Sequence, residues 1–184
     1  MFILQRFLVI IFCLLIAFTP VNLEAFIYNE RICQVCHFAT DFEGRVIQII
    51  DGDTFVILMS PSKFKIRLWG IDSPEFGQAY GAEAKSFITK LCDQKKVKIR
   101  IIDIDKYQRK VALVLLANGQ NLNTLMVKNG FAWWYPKYAP NCNHLQKAQN
   151  YAQKKGLGLW SQVNPVAPWI WRNAQEGADP KVSF

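Results

Sequence analysis

Apolar residues recur along the chain with two periods, one typical of β-strands and one typical of α-helices. Strict alternation over residues 64–69 places Phe64, Ile66 and Leu68 on one face, which predicts a half-buried strand. Other β-rich runs end at turn signals such as Asp51-Gly52-Asp53. Five strands are predicted, over residues 45–50, 54–59, 64–69, 96–102 and 110–116.

Three other stretches have helical spacing. The first lies between the third and fourth strands and has apolar residues at positions 84, 87, 88 and 91. The second starts near Leu122 and stops at Asn129-Gly130, and the third covers residues 144–155 and stops at Gly156. The order β-β-β-α-β-β-α-α favours a mainly β, α+β fold: a small, partly open, five-stranded barrel of the OB type with three helices. Another small α+β sandwich is the alternative.

The N-terminus carries an apolar run of a different kind. Residues 7–18 read FLVIIFCLLIAF, follow Arg6, and precede small or polar residues up to Ala25. This layout is typical of a secretory signal peptide, and the run is short for a membrane span, which needs about 20 residues. We therefore predict a signal peptide over residues 1–25 and a secreted or periplasmic protein. A retained membrane anchor is the alternative.

The remaining chain divides into an N-terminal extension at 26–44, a barrel domain at 45–161 and a C-terminal tail at 162–184. The extension contains Cys33-Gln34-Val35-Cys36-His37. This C-x-x-C-H sequence matches the attachment motif for c-type haem, and it would also supply half of the ligands of a zinc site. Disulfides or free thiols are the favoured interpretation in an oxidising compartment. The four cysteines beyond the leader allow three disulfide pairings, among which sequence does not choose. We predict Cys92 with Cys142, because Cys33 and Cys36 lie close together in the chain.

Charge indicates the kind of partner. The 184 residues include 22 Lys and Arg against 14 Asp and Glu, a formal net charge of +8. Such a balance favours nucleic acid or an anionic membrane surface. With only two histidines, the chain is poorly suited to chemistry that needs several His ligands. The H-E-x-x-H motif of zinc peptidases and the G-x-S-x-G motif of serine hydrolases are both missing from the sequence.

Acidic and arginine residues that interrupt the pattern form a coherent chemical set. Asp53, Asp72 and Glu75 offer oxygen ligands of the kind that Ca²⁺ and Mg²⁺ prefer. Arg67 and Arg109 match phosphate oxygens and keep their charge near neutral pH. With a carboxylate-bound water, these groups suffice for phosphodiester hydrolysis without histidine. Each residue taken alone is equally typical of a turn, a loop or a solvated strand face.

A series of motifs from residue 45 to residue 172 resembles a known family. The motifs are VIQIIDGDT at 46–54, IRLWGIDSPE at 66–75, DKYQR at 105–109, GFA at 130–132, GLW at 158–160 and PWIWR at 168–172. Together they resemble the thermonuclease, or staphylococcal-nuclease-like, family. The resemblance implies an OB-fold barrel with three helices and cleavage of DNA and RNA with Ca²⁺.

The resemblance also implies a calcium site. Asp53 and Asp72 match the family's calcium-binding aspartates. Ser73 matches a threonine that offers its backbone carbonyl to the ion, so the change of side chain is expected to be harmless.

Three residues match the family's catalytic groups. Glu75 matches the carboxylate that positions or activates the attacking water. Arg67 and Arg109 match the two arginines that bind the phosphate and stabilise the transition state. The implied reaction is water attack on phosphorus in line with the leaving 5′ oxygen, which leaves 3′-phosphate ends.

Other positions match substrate contacts. Lys106 and Tyr107 match a pair that contacts a terminal phosphate, and either Tyr135 or Tyr138 takes the nearby tyrosine role. The aromatic stretch around Tyr135 either stacks bases or packs against the barrel. Gln108 stands where the family usually has Gly, so the turn that aims the following arginine is expected to differ.

The favoured function is an exported, calcium-dependent nuclease acting as a monomer, with single-stranded or frayed DNA and RNA as substrate and no obligatory protein partner. A non-catalytic OB-fold module that binds nucleic acid is the alternative, since a fold alone does not determine function. Such a module would be expected to lose the arginines or carboxylates, which this chain retains. Electron transfer through residues 33–37 is a third hypothesis.

Overall fold

The computed structural model describes residues 41–177. The predicted signal peptide at 1–25 and the cysteine-histidine motif at 33–37 lie outside the described residues. Across residues 41–177, no helix combines the length and the apolar character that a membrane span needs.

Five strands form a barrel, and two very short strands pair beside it. The strands are β1 (Asp41–Ile49), β2 (Thr54–Met59), β3 (Ser62–Leu68), β4 (Ile71–Asp72), β5 (Lys96–Ile104), β6 (Lys110–Leu115) and β7 (Trp133–Trp134). The barrel order is β1-β2-β3-β6-β5, and β4 pairs with β7. The predicted five-stranded α+β barrel is confirmed, but it is closed rather than partly open. It closes because β3 and β6 pair in parallel, with Arg67 opposite Val111.

Four α-helices occur within the described residues, one more than predicted. They are α1 (Gly81–Cys92), α2 (Leu122–Lys128), α3 (Asn143–Lys155) and α4 (Pro168–Gly177), with a 3₁₀ turn at Gly158–Ser161. The first three match the predicted helices closely. Helix α4 falls in the stretch assigned to the C-terminal tail. It begins at a proline, which suits a first helical position because that residue's N–H would have no partner within the helix.

Alternation along β3 decides where its arginine points. Ile66 and Leu68 are buried in the barrel core, as predicted, so Arg67 between them faces outward. Burial of each such side chain stabilises the fold by about 1.5–3 kcal/mol. Ile101 of β5 is only half-buried, at the point where the pairing of β5 with β6 shifts register between Ile101 and Asp103.

A buried amide ties helix α2 to the end of β3. Asn123 Nδ2 donates to the carbonyls of Trp69 at 2.9 Å and Ala112 at 3.1 Å. Its Oδ1 accepts from the backbone N–H of Val114 at 3.1 Å. These bonds hold the chain in place where it leaves β3 for the loop that follows.

The predicted disulfide between Cys92 and Cys142 is absent from the structure. Cys92 lies on the buried face of α1 and donates its S–H to the carbonyl of Ile88 at 3.3 Å. Cys142 precedes α3, with its Sγ 3.4 Å from Nδ1 of His144. Each thiol is thus held by its own helix region, and burial raises the pKa of Cys92 to about 12.

Candidate active site

The site is centred on Arg67, where strand β3 meets the start of β2. Because Thr54 pairs with Arg67 in the β2–β3 ladder, Asp53 just before β2 is brought beside the arginine. The Arg67 guanidinium forms an ion pair with Asp53 through Nη1, and its Nη2 donates to Oδ1 of Asp72 at 2.5 Å. One arginine therefore joins the two predicted metal-binding aspartates.

A tight turn delivers Asp72 to this point. Gly70 adopts φ +74, and a Cβ there would lie 2.9 Å from both the Ala139 Cβ and the Leu145 Cδ1 atoms. Only glycine fits such a turn comfortably. The chain then enters β4, where Asp72 pairs with Trp133. The adjacent backbone N–H of Ser73 donates to Asp53 Oδ2 at 2.7 Å, so the two acidic segments are locked together.

Negative charge is concentrated here in a region of low solvent exposure. Burial, followed by repulsion from Asp53, raises the pKa of Asp51 to about 7. Burial also raises the pKa of Asp72 above its ordinary value, although Arg67 opposes the shift. Burial lowers the pKa of Arg67, but the neighbouring aspartates outweigh it and hold that pKa above its usual value. The sequence predicted only a turn at Asp51.

Glu75 lies on the loop between β4 and α1. Its backbone N–H donates to Oε1 of Gln78 at 3.0 Å, and helix α1 begins against the loop at Gly81. A Cβ at Gly81 would lie 2.1 Å from the Glu75 carbonyl oxygen, far closer than real contacts allow. The absence of a side chain at position 81 therefore sets the path of the Glu75 loop.

Asp105 and a left-handed residue hold Arg109 between β5 and β6. Asp105 Oδ2 accepts from the Arg109 Nε at 2.7 Å, and its Oδ1 accepts from the Arg109 backbone N–H at 3.0 Å. Burial alone would raise the Asp105 pKa, but these bonds lower it overall. Gln108 itself adopts φ 61, the conformation that glycine favours. The turn before Arg109 therefore has the left-handed conformation that a glycine would give, although Gln108 occupies the position.

One open cleft of about 760 Å³ collects the predicted groups. Nine of the ten predicted site residues line it: Asp53, Arg67, Ser73, Glu75, Lys106, Tyr107, Arg109, Tyr135 and Tyr138. Asp72 is 1% exposed and lies beneath, in contact with Arg67. All ten predicted site residues thus belong to one region.

Seven further residues line the same cleft although none was predicted to belong to the site. They are Asp51, Pro74, Pro136, Lys137, Trp169, Arg172 and Asn173. Arg172 on α4 donates to Asp72 Oδ2 at 2.8 Å and forms an ion pair with Glu75. Its only sequence signal was the PWIWR motif, which marked the tail without indicating where the tail packs.

The aromatic residues near Tyr135 pack mainly on one another. Tyr135 stacks on Trp169 with ring centroids 4.6 Å apart and planes at 9°, and Tyr138 meets its edge. Trp133 contacts the rings of Trp160 and Trp169, and Trp134 Nε1 donates to the Ala139 carbonyl at 3.0 Å. Of the two alternatives for this stretch, base stacking or packing within the protein, Trp133 and Trp134 therefore show packing. Tyr138 stays largely exposed.

The donor chemistry at this site fits a hard cation. Carboxylate oxygens from Asp53 and Asp72 lie buried close to one another, and the buried Oγ of Ser73 has no hydrogen-bond partner. Burial, followed by repulsion from Asp53, raises the pKa of Asp51, and a cation bound nearby would favour the ionised form of its carboxyl. Within residues 41–177, however, no three acidic, histidine or cysteine side chains converge closely enough to enclose an ion by themselves. Backbone oxygen or water would have to complete the ligand set.

Comparison with known proteins gives a consistent result. The family model described as "Staphylococcal nuclease homologue" matches residues 65–162. An "Uncharacterized endonuclease" of Haemophilus influenzae is 43% identical over 133 residues, 72% of this chain and 74% of that protein. A "Micrococcal nuclease" of Shigella flexneri is 35% identical over 147 residues, 75% of this chain and 84% of that protein. The "Staphylococcal-like nuclease CAN1" of Arabidopsis thaliana is 39% identical over 117 residues, 64% of this chain and 36% of that protein.

Proposed function

The chain belongs to the staphylococcal nuclease homologue family, and from that premise we propose that it is an exported, calcium-dependent nuclease. Family membership makes it a hydrolase of nucleic acids. The proposal adds the roles of individual residues, the ion, the product ends and the location. The observation that carries it is the meeting of Arg67, Arg109 and Glu75 in one cleft.

Each of the three groups has a role that its surroundings support. Asp53 and Asp72 orient the Arg67 guanidinium, and Asp105 orients Arg109, so both arginines are set before a phosphate arrives. Preorganised charge of this kind stabilises a developing oxyanion without later rearrangement. Glu75 orients a water for attack on phosphorus, in line with the 5′ oxygen that leaves. The products then carry 3′-phosphate ends.

Calcium is the proposed ion, held by Asp53, Asp72 and the backbone carbonyl of Ser73. When bound, it supplies positive charge against a phosphate oxygen. The buried carboxylates and the orphaned Ser73 Oγ support oxygen ligation at this place.

The substrate proposed is single-stranded or frayed DNA and RNA. The cleft is open, and we propose that bases of any kind stack on two largely exposed tyrosines of its lining, Tyr107 and Tyr138. Lys106 lies beside Tyr107 and would contact a terminal phosphate. The enzyme acts as a monomer without an obligatory protein partner, and it reaches its location through the leader at 1–25.

A cleavage assay tests the activity. The purified protein is incubated with single-stranded DNA and, separately, RNA, in calcium and then with chelator, beside the Arg67→Ala variant. We expect cleavage in calcium and loss of cleavage in both other conditions. Product ends are read by polymerase extension, which should require prior removal of a 3′-phosphate.

The outcomes separate the possible functions. Cleavage that persists unchanged in chelator would overturn the calcium proposal, and cleavage that persists in Arg67→Ala would overturn the proposed mechanism. Binding of single-stranded DNA without cleavage would favour the non-catalytic module.

A further inference from the structure

Helix α4 places a third arginine against the two acidic residues on which the reaction depends. Arg172 Nη2 donates to Asp72 Oδ2 at 2.8 Å, and Nη1 lies 3.3 Å from Asp72 Oδ1. The same Nη1 also donates to Oε1 of Glu75. One guanidinium therefore contacts both oxygens of Asp72 and one oxygen of Glu75, and so links the two residues. The family-model match ends at residue 162, so Arg172 lies beyond it.

The position of Arg172 is set by specific packing of α4. Trp169, three residues earlier and on the same helix face, stacks on Tyr135 and meets Trp133 edge-on, with centroids 5.7 Å apart. Gln78 Nε2 also donates at 2.7 Å to the Val166 carbonyl, just before the helix. Since Gln78 Oε1 accepts from the Glu75 N–H, a single side chain fastens both the Glu75 loop and the approach to α4.

The Glu75 side chain needs such a hold because Gln78 and Gly81 fix only the backbone of its loop. Its side chain is 36% exposed, and the loop continues into Gly77 with φ +81. Among the residues that the structure describes, Arg172 is the one side chain recorded in contact with the Glu75 carboxylate. Arg67, by contrast, is held by two carboxylates at once. Without Arg172, the Glu75 carboxylate would turn among several rotamers in solvent.

We propose that Arg172 is a positioning residue that holds Glu75 toward the scissile phosphate, in register with Asp72. The inference rests on the proposed function, in which Glu75 orients the attacking water. The contact uses Oε1, which leaves Oε2 of Glu75 to accept from that water. A side chain 97 residues away in the chain thus completes the geometry of the catalytic loop.

The opposite role, an arginine that blocks the site, makes a different prediction. A blocking Arg172 would compete with substrate or ion, so its removal would raise activity. A positioning Arg172 lowers kcat when removed and leaves KM nearly unchanged, because the orientation of Glu75 matters only once substrate is bound.

Steady-state kinetics of the full-length protein on single-stranded DNA in calcium provide the test. For Arg172→Ala we expect kcat about 10- to 100-fold lower, the usual cost of losing a partner that orients a reactive group, with KM changed less than about threefold. Arg172→Lys should recover part of kcat, since it keeps a charge but loses the two-pronged geometry. Arg45→Ala is the matched control. It removes one exposed arginine of β1 outside the cleft and should leave both parameters unchanged.

A double-mutant cycle tests whether Arg172 acts through Glu75. In the Glu75→Gln background, adding Arg172→Ala should cost less than about threefold, because the group that it positions is already disabled. A full additive loss would overturn the inference, as would a kcat within twofold of wild type, a rise in kcat, or an effect confined to KM. Thermal melting of each variant checks that it is folded.

The same set separates this inference from the proposed function. Absence of cleavage by the wild type, or undiminished cleavage by Glu75→Gln, overturns the role of Glu75 and the inference with it. Cleavage by the wild type, loss in Glu75→Gln and full activity in Arg172→Ala overturns the inference alone.

Discussion

The cleft has a buried floor and an exposed rim, and the two differ in how their charges are held. The floor consists of Asp53, Arg67 and Asp72, which are joined by ion pairs and nearly withdrawn from solvent. The rim consists of two Lys–Tyr pairs from different loops. They are Lys106 with Tyr107 and Lys137 with Tyr138.

Exposure explains what each region is suited to do. Tyr107 and Tyr138 of the rim are 67% and 61% exposed, so their rings and the neighbouring ammonium groups can adapt to different bases and phosphates. In the floor, low exposure strengthens electrostatic interactions and allows one arrangement only. Changes in the floor should therefore reduce kcat, whereas changes in the rim should affect KM.

The largest effect is expected from Arg67→Ala in the floor. We expect kcat to fall about 10³-fold, because a preorganised phosphate contact is lost. The free energy of unfolding should also fall by about 3–5 kcal/mol, since Asp53 is left buried without its ion-pair partner and Asp72 keeps only Arg172. Kinetics and thermal melting measure the two effects. Arg67→Lys serves as the control that keeps the charge, and a loss of activity below tenfold in Arg67→Ala would contradict the floor's role.

Gly81→Ala should have the next largest effect, although it lies outside both regions. Its new Cβ would meet the Glu75 carbonyl oxygen at 2.1 Å. The loop must therefore move by about an ångström to restore a normal contact. We expect kcat about 10- to 100-fold lower and a reduced melting temperature, despite the better helix propensity of alanine. Ser86→Ala on the exposed side of the same helix is the control. Unchanged kcat in Gly81→Ala would mean that the loop tolerates displacement.

Tyr138→Ala tests the rim. We expect KM for single-stranded DNA to rise about fivefold or more, since base stacking contributes about 1–3 kcal/mol, and kcat to stay within twofold. Initial rates over a range of substrate concentrations separate the two parameters. A fall in kcat with constant KM would erase the distinction between rim and floor.

Gln108→Gly should have the smallest effect. Glycine relieves the left-handed conformation at φ 61, while its extra freedom in the unfolded chain offsets part of that gain. We therefore expect the free energy of unfolding to change by less than about 1 kcal/mol and kcat to change less than twofold. Gln108→Val, whose β-branch is poorly tolerated there, should destabilise the protein more. A large gain of activity in Gln108→Gly would show that Gln108 misdirects Arg109.

Much of the barrel could be read from periodicity, and its exceptions have clear causes. The predicted range 54–59 coincides with β2, because alternation and turn signals agree there. Strands β4 and β7 were missed, since two residues carry no period. Helix α4 was missed because the contact that packs it, between Trp169 and Tyr135, joins residues far apart in the chain. The sequence around Trp169 was therefore assigned to the C-terminal tail.

Two arginines, three carboxylates and the strands or loops that bear them could be identified as one chemical set without a structure. This was possible because local patterns specify strands and turns, and because residues that violate those patterns stand out. Three facts required the folded chain: Asp51 and Arg172 join this set, Arg172 contacts Glu75, and no disulfide forms between Cys92 and Cys142. These facts depend on how separate elements pack against one another, and packing of residues far apart in the chain leaves no period in a single sequence.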